Sequence, residues 1–94
     1  MPPTPAGAAV VIQNFGFNPQ TVTIPVGGTV TWTNLDTAQH QVINSQMATF
    51  MPGLMFQSKI LNKGDIYSYT FTGAGAYQYQ CAIHPYMIGT VFVK

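Results

Sequence analysis

In Gly75-Ala76-Tyr77-Gln78-Tyr79-Gln80-Cys81, apolar and polar side chains alternate from Tyr77 as far as the cysteine. Tyr77, Tyr79 and Cys81 fall on one face and Gln78 and Gln80 on the other, the period-two pattern of a strand with one buried side. Moving outward, Thr21-Val22-Thr23-Ile24 and Thr29-Val30-Thr31-Trp32-Thr33 repeat the pattern. Tyr67, Tyr69 and Phe71 share a face against Ser68 and Thr70, and Val91 and Val93 close the chain. Aromatic and β-branched residues suit a pleated, half-buried surface. Breakers separate the runs: Pro19, Pro25 with Gly27-Gly28, Asn62-Lys63-Gly64-Asp65, and Gly73-Ala74-Gly75. This spacing predicts an all-β fold, an antiparallel Greek-key β-sandwich of seven to eight short strands. Residues 45–58, with Met47, Met51 and Met55, follow no period.

The 94 residues suffice for one domain, and a hydrophobic content of 47% gives it a core. The expected organisation is a Pro/Ala-rich tether over residues 1–8 and a single domain over 9–94. A frayed terminus is the other reading of the tether. Charged residues make up 5% of the chain, against roughly 25% in average domains. The polar surface must therefore come from 27 Thr, Gln, Asn and Ser residues. Three lysines, no arginine and a net charge of +1 cannot track phosphates, so nucleic acid is not an expected partner. No apolar run approaches the ~20 residues of a membrane helix, and the start Met1-Pro2-Pro3-Thr4-Pro5 has neither a basic nor an apolar leader region.

One cysteine excludes an intramolecular disulfide, and His40 and His84 are the only histidines. Chemistry concentrates in Cys81-Ala82-Ile83-His84-Pro85-Tyr86-Met87, where a histidine follows the cysteine by three and a methionine follows by three more. Pro85 and Gly89 argue for a tight loop before the last strand. Such a loop can turn a thiolate, an imidazole and a thioether toward one point. Soft sulfur with imidazole selects copper over magnesium, calcium or manganese. Two histidines and a cysteine in a trigonal set, with a weak axial methionine, make a blue-copper ligand set. His40, in the loop after the Trp32 strand, would supply the remaining imidazole. A thiol nucleophile with its base fits less well, because such pairs usually come from separate segments and need a third, orienting group. Cys81 alone would read as a small buried hydrophobe, and Met87 alone as core. Met47, Met51 and Met55 read as apolar packing or, alternatively, as soft ligands handling copper.

With these residues in place, the sequence resembles the cupredoxins over almost its whole length. Phe17-x-Pro19-x-x-Val22-x-Ile24-x-x-Gly27-x-x-Val30-x-Trp32-x-Asn34 is similar to their opening strands, and His40-Gln41-Val42 stands where the family has its first histidine. Gly75-x-Tyr77-x-Tyr79-x-Cys81 and Met87-x-Gly89-x-Val91-x-Val93 match the strands on either side of the ligand loop, whose short length is similar to that of amicyanins. Gln41 departs from the Asn, Ser or Thr of many relatives. Its backbone N–H would still reach the cysteine sulfur, but side-chain links between the two ligand loops are in question.

The resemblance implies a non-enzymatic protein that shuttles single electrons through one type 1 copper, Cu(I)/Cu(II), held by His40, Cys81, His84 and Met87. A protein redox donor and acceptor would dock on an apolar patch around His84 formed from Leu35, Met51, Met55, Phe56, Pro85 and Tyr86. A monomer outside the cytoplasm, periplasmic or at the cell surface, is expected by the same analogy. The alternatives are a Cu(I) carrier, a blue-copper domain cut from a larger redox protein, and a sandwich that keeps the fold without redox work. Two histidines are too few for the additional centres of a multicopper oxidase or copper nitrite reductase.

Overall fold

In the strand Thr29–Asn34, Val30, Trp32 and Asn34 are buried while Thr29, Thr31 and Thr33 face outward, as the alternation requires. The computed structural model describes residues 7–45 and 56–94, with eight strands among them. They are β1 (Ala8–Gln13), β2 (Gly16–Asn18), β3 (Thr21–Ile24), β4 (Thr29–Asn34), β5 (Val42–Asn44), β6 (Ile66–Thr70), β7 (Gly75–Cys81) and β8 (Ile88–Val93). Two four-stranded sheets result, ordered β2-β1-β4-β6 and β3-β8-β7-β5. β1 begins at Ala8, one residue inside the expected tether, whose first six residues lie outside the described part.

The sheets are mixed, not wholly antiparallel. β1 runs parallel to β4, and β3 runs parallel to β8. Only Pro19 and Gln20 separate β2 from β3, yet the two strands stand in different sheets. The chain changes sheet at that bend, and β4 then returns beside β1. Strand order of this kind has no local sequence signal, because every strand shows the same period-two face.

The inner faces meet around Trp32, which is fully buried. Its ring stacks on Phe56 and Tyr67 and meets Tyr79 edge-on, with centroids 5.8, 5.6 and 5.3 Å away. Phe71, Tyr77 and Tyr79 are buried as expected, and Tyr67 and Tyr69 pack against the core from partly buried positions. A Cβ at Gly89 would collide with the phenol end of Tyr79, so this glycine makes room for a ring on the neighbouring strand. Burial also pushes the Tyr79 phenol up to about 12. On the outer face, Thr29 bonds Thr70 at 2.7 Å and Thr31 bonds Ser68 at 3.0 Å. These hydroxyl pairs across β4 and β6 give the low-charge surface its polarity.

Candidate metal centre

Three connections meet at one end of the sandwich. β7 ends at Cys81, paired with Val42 of β5, so the strand itself delivers the thiol. His40 sits just before β5 and exchanges backbone hydrogen bonds with Leu61, at 3.1 and 2.7 Å. The loop after Cys81 closes on itself: Met87 N–H donates to the carbonyl of His84 at 2.9 Å, and Cys81 N–H donates to that of Met87 at 3.1 Å. This is the tight turn that Pro85 and Gly89 predict, and it places His84 and Met87 beside the end of β7.

His40 Nδ1, His84 Nδ1 and Cys81 Sγ face one another. Nδ1 to Nδ1 is 3.3 Å, and the sulfur lies 3.6 Å from His40 and 3.7 Å from His84. The centre of a triangle with these sides lies about 2.0 Å from each corner, the length of a bond from zinc, a first-row metal, to imidazole. Three donors converging at this spacing form a site of metal size, and these three residues are the one such group among the described residues. A thiolate with two imidazoles in a trigonal set fits copper. Cys81 and His40 are fully buried, while His84 is partly exposed. Met87 is buried in the core cluster, with its backbone tied to both Cys81 and His84.

The surroundings orient these donors. Gln41 N–H donates to Cys81 Sγ at 3.4 Å, as expected for the residue after the first histidine. The Gln41 side chain turns away and donates to the carbonyl of Ser58 at 2.8 Å. The two ligand loops are joined instead by backbone, Ala82 N–H donating to the Gln41 carbonyl at 2.9 Å.

Several residues beyond the candidate ligands shape the site. Buried Asn34 donates to the carbonyls of Ala38 and Leu61 at 3.0 and 2.8 Å, and accepts from Asp36 N–H at 2.9 Å. It thereby holds the loop that carries His40 and the Leu61 backbone that pins it. An asparagine in the buried phase of β4, after Val30 and Trp32, was the available signal. Asp36 Oδ2 lies 2.8 Å from His40 Nε2. Burial pushes the Asp36 carboxyl up, but hydrogen bonds from Phe15 N–H, the His40 ring and Asn14 N–H outweigh it and hold the group below its ordinary value. Phe15 meets both imidazoles edge-on, with centroids 5.5 Å from His40 and 5.1 Å from His84. An exposed turn phenylalanine gives no such signal in sequence.

The expected apolar patch needs one correction. Phe56 is 3% exposed and stacked on Trp32, so it belongs to the core and not to the surface. Met47, Met51 and Met55 lie outside the described residues. Leu35, Pro85 and Tyr86 are exposed, and the Tyr86 ring stands 6.1 Å from that of His84. Phe15 and Ile83 add exposed apolar surface that the sequence reading omitted.

Comparison with known proteins agrees with this geometry. Residues 7–94 match the copper-binding proteins of the plastocyanin/azurin family. Amicyanin from Paracoccus versutus is 36% identical over 95 residues, covering 96% of this chain and 67% of that protein. A purple cupredoxin from Nitrosopumilus maritimus superposes with a TM-score of 0.81 at 34% identity, over 93% of this chain and 99% of that one. A copper-containing nitrite reductase from Thermus scotoductus superposes with a TM-score of 0.82 at 32% identity, over 100% of this chain and 23% of its own. The chain belongs to the plastocyanin/azurin family of copper-binding proteins, a cupredoxin similar to the amicyanins.

Proposed function

We propose that the chain binds one type 1 copper through His40, Cys81 and His84, with Met87 as the weak axial ligand, and passes single electrons between protein redox partners. Bound there, copper supplies a one-electron Cu(I)/Cu(II) couple. The observation that carries this reading is the Nδ1–Nδ1–Sγ triangle, buried on the His40 and Cys81 sides and open to the surface at His84.

The residues of the chain divide the work. His40 and Cys81 are held by backbone pairing to Leu61 and Val42, which would limit their movement when the charge at the centre changes. A site that rearranges little suits fast electron exchange. His84 reaches the surface among the exposed apolar side chains of Phe15, Ile83 and Tyr86, and electrons would enter and leave there. An apolar partner surface would expel water at that point on docking. No substrate is transformed, and both histidines are used by the single site. A monomer working outside the cytoplasm completes the proposal, by analogy with the family.

Voltammetry of the copper-loaded protein tests it. A reversible one-electron wave with copper retained in both states is the expected result. Release of Cu(I) to an acceptor on reduction would replace electron transfer by copper delivery.

A further inference from the structure

We propose that Asp36 is a positioning residue, whose one carboxylate fixes the metal-facing tautomer of His40 and also holds the turn that sets Phe15 over both imidazoles. The proposal rests on the copper reading of the site.

Three donors converge on this carboxylate. Asn14 N–H donates to Oδ1 at 2.7 Å, and Phe15 N–H and His40 Nε2–H approach Oδ2 at 3.0 and 2.8 Å. An ionised carboxylate offers no proton, so the hydrogen bond to His40 requires the proton on Nε2. The Nδ1 lone pair is thereby left facing Cys81 Sγ and His84 Nδ1. The opposite tautomer would place a lone pair against an anionic oxygen and a proton inside the cage.

The same carboxylate accounts for an unfavourable turn. Asn14 and Phe15 form the two-residue link between β1 and β2, with Gln13 opposite Gly16 and φ angles of 54° and 55°. Left-handed backbone at both positions favours Asn-Gly. Asn14 conforms, but a phenylalanine follows and the glycine comes one place late. A bulky residue seldom adopts this conformation. Phe15 is not taken into the core there, since it stays 46% exposed. What its ring gains is edge contact with His40 and His84. The backbone N–H groups of both turn residues are bound by Asp36, which ties the position of that ring to the orientation of His40. Asparagine cannot replace aspartate fully, because its amide must turn a donor toward Asn14 N–H or toward the Phe15 and His40 donors.

Histidine nitrogen-15 spectra of the metal-free protein, combined with Cu(I) and Cu(II) affinity measurements, test the proposal. In the unaltered chain, His40 should carry its proton on Nε2 alone. In Asp36→Ala, both tautomers should appear and copper affinity should fall about ten- to a hundredfold, while β7 and β8 amide signals persist. If that variant does not fold, Asp36→Asn serves instead, and its copper site should have a raised reduction potential because the negative charge behind His40 is gone. Phe15→Gly relieves the turn, so it should melt no lower than the parent while losing copper to a chelator several-fold faster. An unaltered chain with the His40 proton on Nδ1 would overturn the proposal. So would Asp36→Ala with unchanged tautomer and affinity, or an unchanged potential in Asp36→Asn. Failure of the copper reading itself would look different: the unaltered chain would bind no copper whatever the tautomer of His40.

Discussion

The backbone N–H of Gln41 donates to Cys81 Sγ at 3.4 Å, while the carbonyl of the same residue accepts Ala82 N–H at 2.9 Å. One peptide segment thus reaches both the Cys81 sulfur and the loop that follows it. An N–H aimed at sulfur stabilises the negative charge of a metal-bound thiolate. Because both links are backbone, the family position occupied by Gln41 does not depend on a particular side chain here.

Gln41→Ala should therefore keep the visible spectrum of the copper protein. Its cost is the bond from Gln41 Nε2 to the Ser58 carbonyl, worth about 1 kcal/mol of stability. Absorption spectra and urea titration measure the two quantities. A displaced charge-transfer band would show that the side chain shapes the site after all.

Met87→Leu should retain copper and colour and raise the reduction potential. On the proposed reading, an axial thioether would be a weak ligand that stabilises the oxidised ion slightly, and leucine would remove it at similar volume. Met87 is 2% exposed, and the swap should cost less than about 1.5 kcal/mol of folding stability. An unchanged potential would mean that Met87 is not axial.

Electron transfer with a partner should depend weakly on salt. The three lysines and two aspartates cannot build a steering field. Complementarity must then come from the apolar side chains around His84. Stopped-flow rates at low and high ionic strength check this, and a tenfold or greater fall with added salt would contradict it, unless the partner is very highly charged.

Acid should spare the fold until the pH is low. The folded-state pKa of Asp36 is depressed, so its contribution is complete above the unfolded value of about 3.9. That contribution is lost as pH falls through the lower, folded value. The chain has two aspartates and no glutamate, which leaves few other carboxylates to protonate. Thermal melts followed by circular dichroism should be flat from neutral pH to about 4 and fall below it. A decline between pH 7 and 5 would point to another titrating group.

Much of this was legible in the sequence because strands announce their faces. The alternation in β4 and β7 places Trp32, Tyr79 and Cys81 on the buried face, and all three are in the core. The loop from Cys81 to Met87 showed its donors by spacing, and His40 stood out because only two histidines exist. The parallel pairs β1–β4 and β3–β8 were not legible, since pairing partners leave no mark on a strand's own period. Phe56 lies within the aperiodic stretch 45–58, where neither face nor burial can be counted, and the fold puts it in the core and not on the surface. Nothing local in the sequence marks Asp36; only the fold brings it to His40 and to the Asn14–Phe15 turn.

Titration of the metal-free protein with Cu(II), followed by visible absorption, tests the central claim most directly. One equivalent should produce the intense band of a copper–thiolate bond. Cys81→Ser should remain a folded sandwich and show no such band, because Cys81 is the only thiol in the chain. An unaltered protein that stays colourless at one equivalent, or a Cys81→Ser variant that keeps the band, would contradict the assignment of His40, Cys81 and His84 as a type 1 copper site.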